Sequence, residues 1–310
     1  MKRIAIAAAV AAFFCTLSWS SPVYTFTQIS PGNQADNIFL GAAINTSGLT
    51  AWINGGTAET WNGTSISSYT LTNEQISEGQ PIGLSDAGGI SFSYFNGSDF
   101  IGAVYSIPSG TTTTFQYQSG ETYAAGSSPS GWVAGDNASA AGGFIWKGGS
   151  SFTQITYPGS HGQIYLDGVN NAGDVVGQSS CCDSGVSFID ENGVYTTITV
   201  PGEATDDVQA ENLNNSDTVV GYAYNALQHE DGFVWQNGVG TIVDYPGATD
   251  TIIYGINSSG ELVGEADFGN SNDAIVFTAA IAPTPEPGTF YLLIGAGMIV
   301  VGRRYIRLLT

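Results

Sequence analysis

The chain of 310 residues carries 27 acidic side chains against six Lys and Arg, a formal net charge of -21 at pH 7. Between Arg3 and Arg303 the only Lys or Arg is Lys147, which excludes nucleic acid, whose phosphates need Lys and Arg to displace counterions, and adhesion to anionic lipid. With charged residues at 11% and Gly, Ser, Thr and Asn abundant, ion pairs contribute little, and backbone ladders and apolar packing must hold the fold.

The N-terminus begins Met1-Lys2-Arg3, continues as an apolar run from Ile4 to Leu17 and ends in Ser18-Trp19-Ser20-Ser21. A basic start, an apolar middle and small residues at the exit make a secretory signal peptide, residues 1–20, with cleavage expected at Ser20. Phe13 and Phe14 stand where a lipobox has small residues, so Cys15 is expected to leave with the signal.

From there a repeat governs the chain. Its clearest copy is Val169-Asn170-Asn171-Ala172-Gly173-Asp174-Val175-Val176-Gly177, which returns as Leu213-Asn214-Asn215-Ser216-Asp217-Thr218-Val219-Val220-Gly221 and as Ile256-Asn257-Ser258-Ser259-Gly260-Glu261-Leu262-Val263-Gly264. Weaker copies centre on Gly48, Gly88 and Gly131. The turn positions Gly48, Gly88, Gly131, Gly173, Asp217 and Gly260 are 40, 43, 42, 44 and 43 residues apart. A period in the low forties, built of short strands and Gly/Asn turns, predicts an all-β propeller with one four-stranded blade per repeat, hence six blades. Asn-x-x-Gly tolerates the positive φ of a tight turn, and Val-Val favours a pleated, buried surface.

Each unit has further strands. Middle strands read Gly143-Phe144-Ile145-Trp146, Val186-Ser187-Phe188-Ile189 and Gly232-Phe233-Val234-Trp235, and their recurrence in register predicts packing between blades rather than a row of sugar-stacking aromatics. Closing strands end in Pro-Gly, as in Phe152-Thr153-Gln154-Ile155 before Pro158-Gly159. The last repeat lacks one. Phe26-Thr27-Gln28-Ile29 with Pro31-Gly32 matches it, so the N-terminal strand 24–29 is expected to complete blade six and close the ring, removing a free sheet edge.

The later units, with Gly-x-Asn-x-x-Gly-x-x-Val-Gly grammar followed by a Phe-x-Trp strand, resemble the HAF repeat of bacterial extracellular proteins across 120–278. They depart from it where Gly142-Gly143 and Asp231-Gly232 replace its His-Ala. The resemblance implies an exported, propeller-like protein without an agreed activity.

The chemical inventory is thin. His161 and His229 lie in no recognisable motif, no Gly-x-Ser-x-Gly elbow is present, and no catalytic residue is expected. Paired carboxylates of a hydrolase or lyase remain an alternative, since acids from several blades can meet in a propeller funnel. Asp167, Asp174, Asp206, Asp207, Asp217, Asp267 and Asp273 sit near Asn-rich turns and offer the oxygen chemistry of Ca²⁺, yet none forms an EF-hand loop, and Asp is expected at such turns anyway. The reading is no cofactor and no assigned metal residue, with calcium as the one candidate ion. Adjacent Cys181 and Cys182 are candidates for a strained vicinal disulfide.

The C-terminus holds the most specific signal: Pro285-Glu286-Pro287, an apolar run from Phe290 to Val301, then Arg303, Arg304 and Arg307. This tripartite tail resembles the PEP-CTERM sorting signal. The resemblance implies an exported protein of an exopolysaccharide-producing Gram-negative bacterium. An exosortase, a membrane Cys peptidase, then processes the protein near Pro285-Glu286-Pro287. As a helix at ~1.5 Å per residue the stretch from Gly288 to Gly302 is roughly 22 Å long, a single short transmembrane helix whose trailing arginines stay cytoplasmic. The expected organisation is a signal peptide over 1–20, a propeller over 21–280, a Pro-rich linker over 281–288, and a transmembrane segment with basic tail over 289–310. The expected protein is a non-catalytic component of the outer surface or extracellular matrix, transiently anchored in the inner membrane. Its partners would be the exosortase and an exopolysaccharide or another surface protein.

Overall fold

A computed structural model describes residues 23–282 except 30–38, 55, 72–74, 77–81, 139–141, 159–163, 180–184, 205–206 and 270–273. Its 24 strands form six four-stranded antiparallel sheets. Blade 1 comprises β2 (Phe39–Ile44), β3 (Thr50–Asn54), β4 (Thr57–Trp61) and β5 (Ile66–Thr70). Blade 2 comprises β6 (Gly83–Leu84), β7 (Gly89–Phe95), β8 (Phe100–Ser106) and β9 (Thr111–Phe115). Blade 3 comprises β10 (Thr122–Ser127), β11 (Val133–Asn137), β12 (Gly143–Trp146) and β13 (Phe152–Ile155). Blade 4 comprises β14 (Ile164–Val169), β15 (Val175–Ser179), β16 (Val186–Glu191) and β17 (Val194–Thr197). Blade 5 comprises β18 (Val208–Leu213), β19 (Val219–Tyr224), β20 (Glu230–Gln236) and β21 (Val239–Ile242). Blade 6 comprises β22 (Asp250–Ile256), β23 (Leu262–Asp267) and β24 (Ile275–Ile281), completed by β1 (Tyr24–Gln28).

The ring closure read from the sequence is therefore observed. β1 pairs antiparallel with β24, from Tyr24 opposite Ile281 to Gln28 opposite Phe277, and the Ile29 amide donates to the Val276 carbonyl at 2.9 Å. The two ends of the domain share one sheet, so β24 presents no free edge on that side.

The repeat motif is the turn between the first and second strands of every blade. In each, the amide of the Asn or Ser (Asn45, Ser85, Ser128, Asn170, Asn214, Asn257) donates four residues ahead, and its carbonyl accepts from the turn residue. That turn residue needs the left-handed region, which Gly enters without a Cβ penalty. Asp217, standing where the other five copies have Gly, takes it at φ 55°.

The Gly that ends the motif has a different task. Gly135, Gly177, Gly221 and Gly264 lie directly opposite Phe144, Phe188, Phe233 and Phe277 on the next strand. A Cβ on Gly264 would sit 2.7 Å from the Phe277 ring and also meet the Ile252 carbonyl oxygen. All four phenyl rings are fully buried, which settles these aromatics as packing rather than an exposed stacking row. The core is six apolar clusters, each drawn from two neighbouring blades, the last joining Val263 and Val276 of blade 6 to Ala42, Ile44 and Trp52 of blade 1.

Polar bonds tie the same turns around the ring. Asn45 Nδ2 donates to the Ser85 carbonyl at 3.3 Å, the Asp86 amide to the Pro129 carbonyl at 2.9 Å, and the Ser130 amide to Asn171 Oδ1 at 2.9 Å. The Asn171 amide then donates to Asn215 Oδ1 at 2.9 Å, Asn214 Nδ2 to the Asn257 carbonyl at 3.1 Å, and Asn257 Nδ2 back to the Asn45 carbonyl at 3.3 Å. Asn257 is 4% exposed and also accepts from the amides of Ser259 and Glu261. Replacing it by Ala strands buried donors and opens the seam between last and first blades, so Asn257→Ala should lower unfolding free energy by about 1–3 kcal/mol, read as a shift in urea midpoint. Asn62→Ala, at the exposed turn of blade 1, should shift it far less.

Candidate functional site

The ring's axis is nearly closed at the face bearing the Asn turns, where residues such as Ala43, Leu84, Ser127, Leu213 and Ile256 leave a cavity of about 20 Å³, enough for a single water. The polar chemistry gathers elsewhere, and β-bulges place much of it. The ladders of β14, β18 and β22 slip between Leu166 and Gly168, between Ala210 and Asn212, and between Ile253 and Gly255. Asp167, Glu211 and Tyr254 are the residues left over. A bulge bends the strand and re-aims the extra side chain, and each lies three residues before the Asn of its turn.

A second set follows the motif's final Gly: Asp136 on β11, Tyr222 on β19 and Glu265 on β23. Tyr254 Oη donates to Glu265 Oε2 at 3.3 Å. At the start of β20, Glu230 joins Asp250, Glu265, Asp267 and Ile252 in lining a cleft of about 130 Å³ contributed by blades 5 and 6. His229 stands beside it, with Nδ1 3.2 Å from Asp250 Oδ1.

These groups repel one another. Burial first, then the charges of Glu211 and Asp136, push the Asp167 carboxyl well above its ordinary range. Burial and the neighbouring Glu230 raise Glu211. Burial lifts Glu265 to about 7 against the hydrogen bond from Tyr254, with Asp267 and Glu230 adding to the rise. Glu230 is raised by burial and by Asp250 and Asp267. Burial alone takes Asp136 to about 7. Asp136 is 3% and Asp167 7% exposed, and Asp136 Oδ1 and Asp167 Oδ2 have no hydrogen-bond partner among the described residues. The sole Lys or Arg of the domain, Lys147, is engaged elsewhere, with Nζ 4.0 Å from the centre of the Trp132 ring.

Of the acids noted in the sequence, the structure brings Asp167 and Asp267 into this region. Asp174 and Asp217 lie instead on the Asn-turn face, sharing the Asn170 Nδ2 donor at 2.9 and 2.8 Å. Among the described residues no group of three or more His, Cys, Asp or Glu is placed to hold a metal ion. His161, Asp206, Asp273, Ser20, Cys181, Cys182, Pro285, Glu286, Pro287, Arg303, Arg304 and the apolar C-terminal span lie outside the described residues. No described helix is long and apolar enough to cross a membrane. Sequence reading missed Asp136, Glu211, Glu230, Asp250 and Glu265. For Glu211, Asp136 and Glu265 the signal is positional, an ionisable residue three before the turn Asn or just after the motif's final Gly, whereas Glu230 and Asp250, at the starts of β20 and β22, carry no such mark.

Residues 283–307 match the PEP-CTERM protein-sorting motif, which implies an exported protein sorted by an exosortase in a Gram-negative bacterium and transiently anchored there. No curated protein matches the chain. Solved structures share the fold. A protein assigned as TolB from Agrobacterium tumefaciens aligns with TM-score 0.54 at 13% identity, over 80% of this chain and 91% of that one. A catalytically inactive virginiamycin B lyase from Staphylococcus aureus, solved with quinupristin, gives 0.53 at 11%, over 84% and 100%. A protein assigned as a gluconolactonase gives 0.52 at 7%, over 83% and 92%. At such identities the likeness is one of fold alone.

Raised carboxyl pKa values make stability depend on pH. The unfolded chain releases the Asp136 proton near 4 and the folded chain near 7. That contribution is whole below pH 4 and is lost as pH climbs to about 7. Thermal unfolding should therefore move to lower temperature between pH 5 and pH 8. Asp136→Asn should recover on the order of a few kcal/mol at pH 8 and flatten the profile.

Proposed function

We propose that this protein is a non-catalytic, exosortase-sorted component of the cell surface or extracellular matrix that binds an exopolysaccharide through its acidic cleft. The sorting motif at 283–307 carries the reading, because a chain delivered by that route works outside the cell. The HAF-like grammar of the later repeats is consistent with it. A ring tied at every turn is a rigid frame, and its closed seam removes the sheet edge that would aggregate in an extracellular setting. The cleft and the Tyr residues beside it offer carboxyl and phenol groups that both donate and accept hydrogen bonds, the chemistry that sugar hydroxyls need. The absence of Lys and Arg from the domain apart from Lys147 points away from acidic polymers.

A second reading, a hydrolase or lyase, has one observation in its favour. Burial lifts Glu265 to about 7, with Asp267 and Glu230 close enough to add to the rise, and a carboxyl group that holds its proton near neutral pH beside other carboxyl groups is an arrangement that general acid catalysis uses.

One experiment separates the readings. The full chain is incubated with the producing cell's own exopolysaccharide, and both binding and polymer length are followed. Saturable binding with unchanged polymer length is the expected result. Shortened polymer that becomes intact with Glu265→Gln replaces the binding role by the enzymatic one. A companion test addresses sorting: Glu286→Ala should leave the unprocessed chain in the membrane fraction, whereas the parent chain appears in a shorter, processed form.

A further inference from the structure

Two hairpin turns of the propeller carry the same tripeptide in the same conformation. Asn192-Gly193-Val194 leads from β16 into β17, and Asn237-Gly238-Val239 leads from β20 into β21. Each loop is two residues long, with Glu191 opposite Val194 in the first and Gln236 opposite Val239 in the second. Both place Asn at φ 52°, followed by Gly at 86° and 83°, the mirror-image turn that Asn-Gly favours. Both are exposed. In such a pair the Gly nitrogen lies one residue from the Asn side-chain carbonyl, and no Cβ on the Gly hinders its approach.

The turns differ in the residue two places before the Asn. In blade 5 it is the buried indole of Trp235. In blade 4 it is Asp190, 7% exposed, whose Oδ1 accepts from the Gly193 amide at 2.6 Å. A general base must stand within hydrogen-bond reach of the proton it removes, about 2.6–3.2 Å, and a short bond to a carboxylate meets that condition. The proton in question is the one that the Gly193 nitrogen must lose to act as a nucleophile. No hydrogen bond holds the Asn192 side chain among the described residues. The other exposed Asn-Gly turns differ: Asn62 Oδ1 accepts from the amides of Thr64 and Ser65, and Asn96 Oδ1 from those of Ser98 and Asp99.

We infer that Asn192-Gly193 is a site of self-modification, at which Asp190 promotes conversion of the Asn192 amide to a carboxylate through a cyclic imide. The Gly193 nitrogen bonds to Asn192 Cγ as Asp190 takes its proton. The bond from Cγ to the side-chain nitrogen then breaks, and that nitrogen leaves as ammonia with the proton returned by Asp190. Water adds to one of the two imide carbonyls and opens the ring, giving aspartate or a β-linked isoaspartate. One water is consumed and one ammonia released. The isoaspartyl product carries an extra methylene in the main chain, which a two-residue loop cannot take up without disturbing the pairing of Glu191 with Val194. Because β17 is the outermost strand of its sheet, the change alters an edge of blade 4 and leaves the ring closed.

Incubating the full chain in isotopically labelled water, then digesting it and quantifying the peptides by mass spectrometry, tests the inference. Chromatography separates the aspartyl and isoaspartyl forms. In the folded chain Asn192 should convert roughly tenfold or more faster than Asn237, and in urea, where the contact with Asp190 is lost, the two rates should converge. Asp190→Asn keeps an acceptor for the Gly193 amide but removes the base, and should bring Asn192 down to the Asn237 rate. Equal rates at the two turns of the folded chain overturn the inference, as does an Asn192 rate that Asp190→Asn leaves unchanged or raises. A difference that persists in urea also overturns it, since it then comes from Glu191 against Gln236 in the sequence rather than from the fold. If Asp190→Asn fails to fold, the comparison of Asn192 with Asn237 in the folded and unfolded parent chain decides alone.

Discussion

The structure depends on a bond that each blade makes to the next. At every first turn an Asn or Ser side chain satisfies the amides of its own turn, and polar groups of the turn reach into the neighbouring turn, ending with Asn257 Nδ2 on the Asn45 carbonyl across 212 residues of sequence. A propeller has no single core. Its six apolar clusters lie between blades, so each blade is stable only when both neighbours are in place. With one Lys in the whole domain, ion pairs cannot supply that continuity. Backbone and amide hydrogen bonds do, and they work because their donors and acceptors are buried where an unmade bond is expensive.

That frame makes the acidic region tolerable. Mutually repelling carboxyl groups destabilise a fold at neutral pH, and a loose one would separate them. Here the strands that carry them are locked on both sides by Phe rings laid over Gly and by β-branched residues packed between blades. Asp136 and Asp167 are therefore held in place, each with one oxygen unpartnered among the described residues. Local rules broken at one place inside an otherwise consistent fold commonly mark a functional site. The opposite face, pinched to about 20 Å³, shows no comparable stress: there Asp174 and Asp217 share the Asn170 amide.

The division of labour between inner and outer strands follows. Outer strands such as β5 and β17 are exposed and rich in Thr and Ser, and they finish the sheets. The inner strands β14, β18 and β22 each carry a bulge, and the residue displaced by the bulge is ionisable or phenolic in all three. In blades 1 to 3 the corresponding positions are apolar, Ala42, Ile82 and Ala125. The bulge-borne ionisable and phenolic residues are consequently confined to blades 4 to 6, and they do not line a uniformly charged channel.

The chain's own sequence determined the blade count, the turn conformation at Gly48, Gly88, Gly131, Gly173, Asp217 and Gly260, the buried Phe positions, the use of the N-terminal strand and the sorting tail. Each of these is local chemistry: the sign of φ, an alternation of apolar residues, or a tripartite signal written in consecutive residues. Tertiary structure alone decided which acids meet. Successive members of the set Asp136, Asp167, Glu211, Glu230 and Glu265 are separated by roughly one repeat or less along the chain, and although four of them keep a fixed place relative to the repeat motif, that place does not say that they meet. Their convergence depends on the register slip at each bulge and on the radial packing of successive blades. Both are set by inter-blade contacts that no single stretch contains.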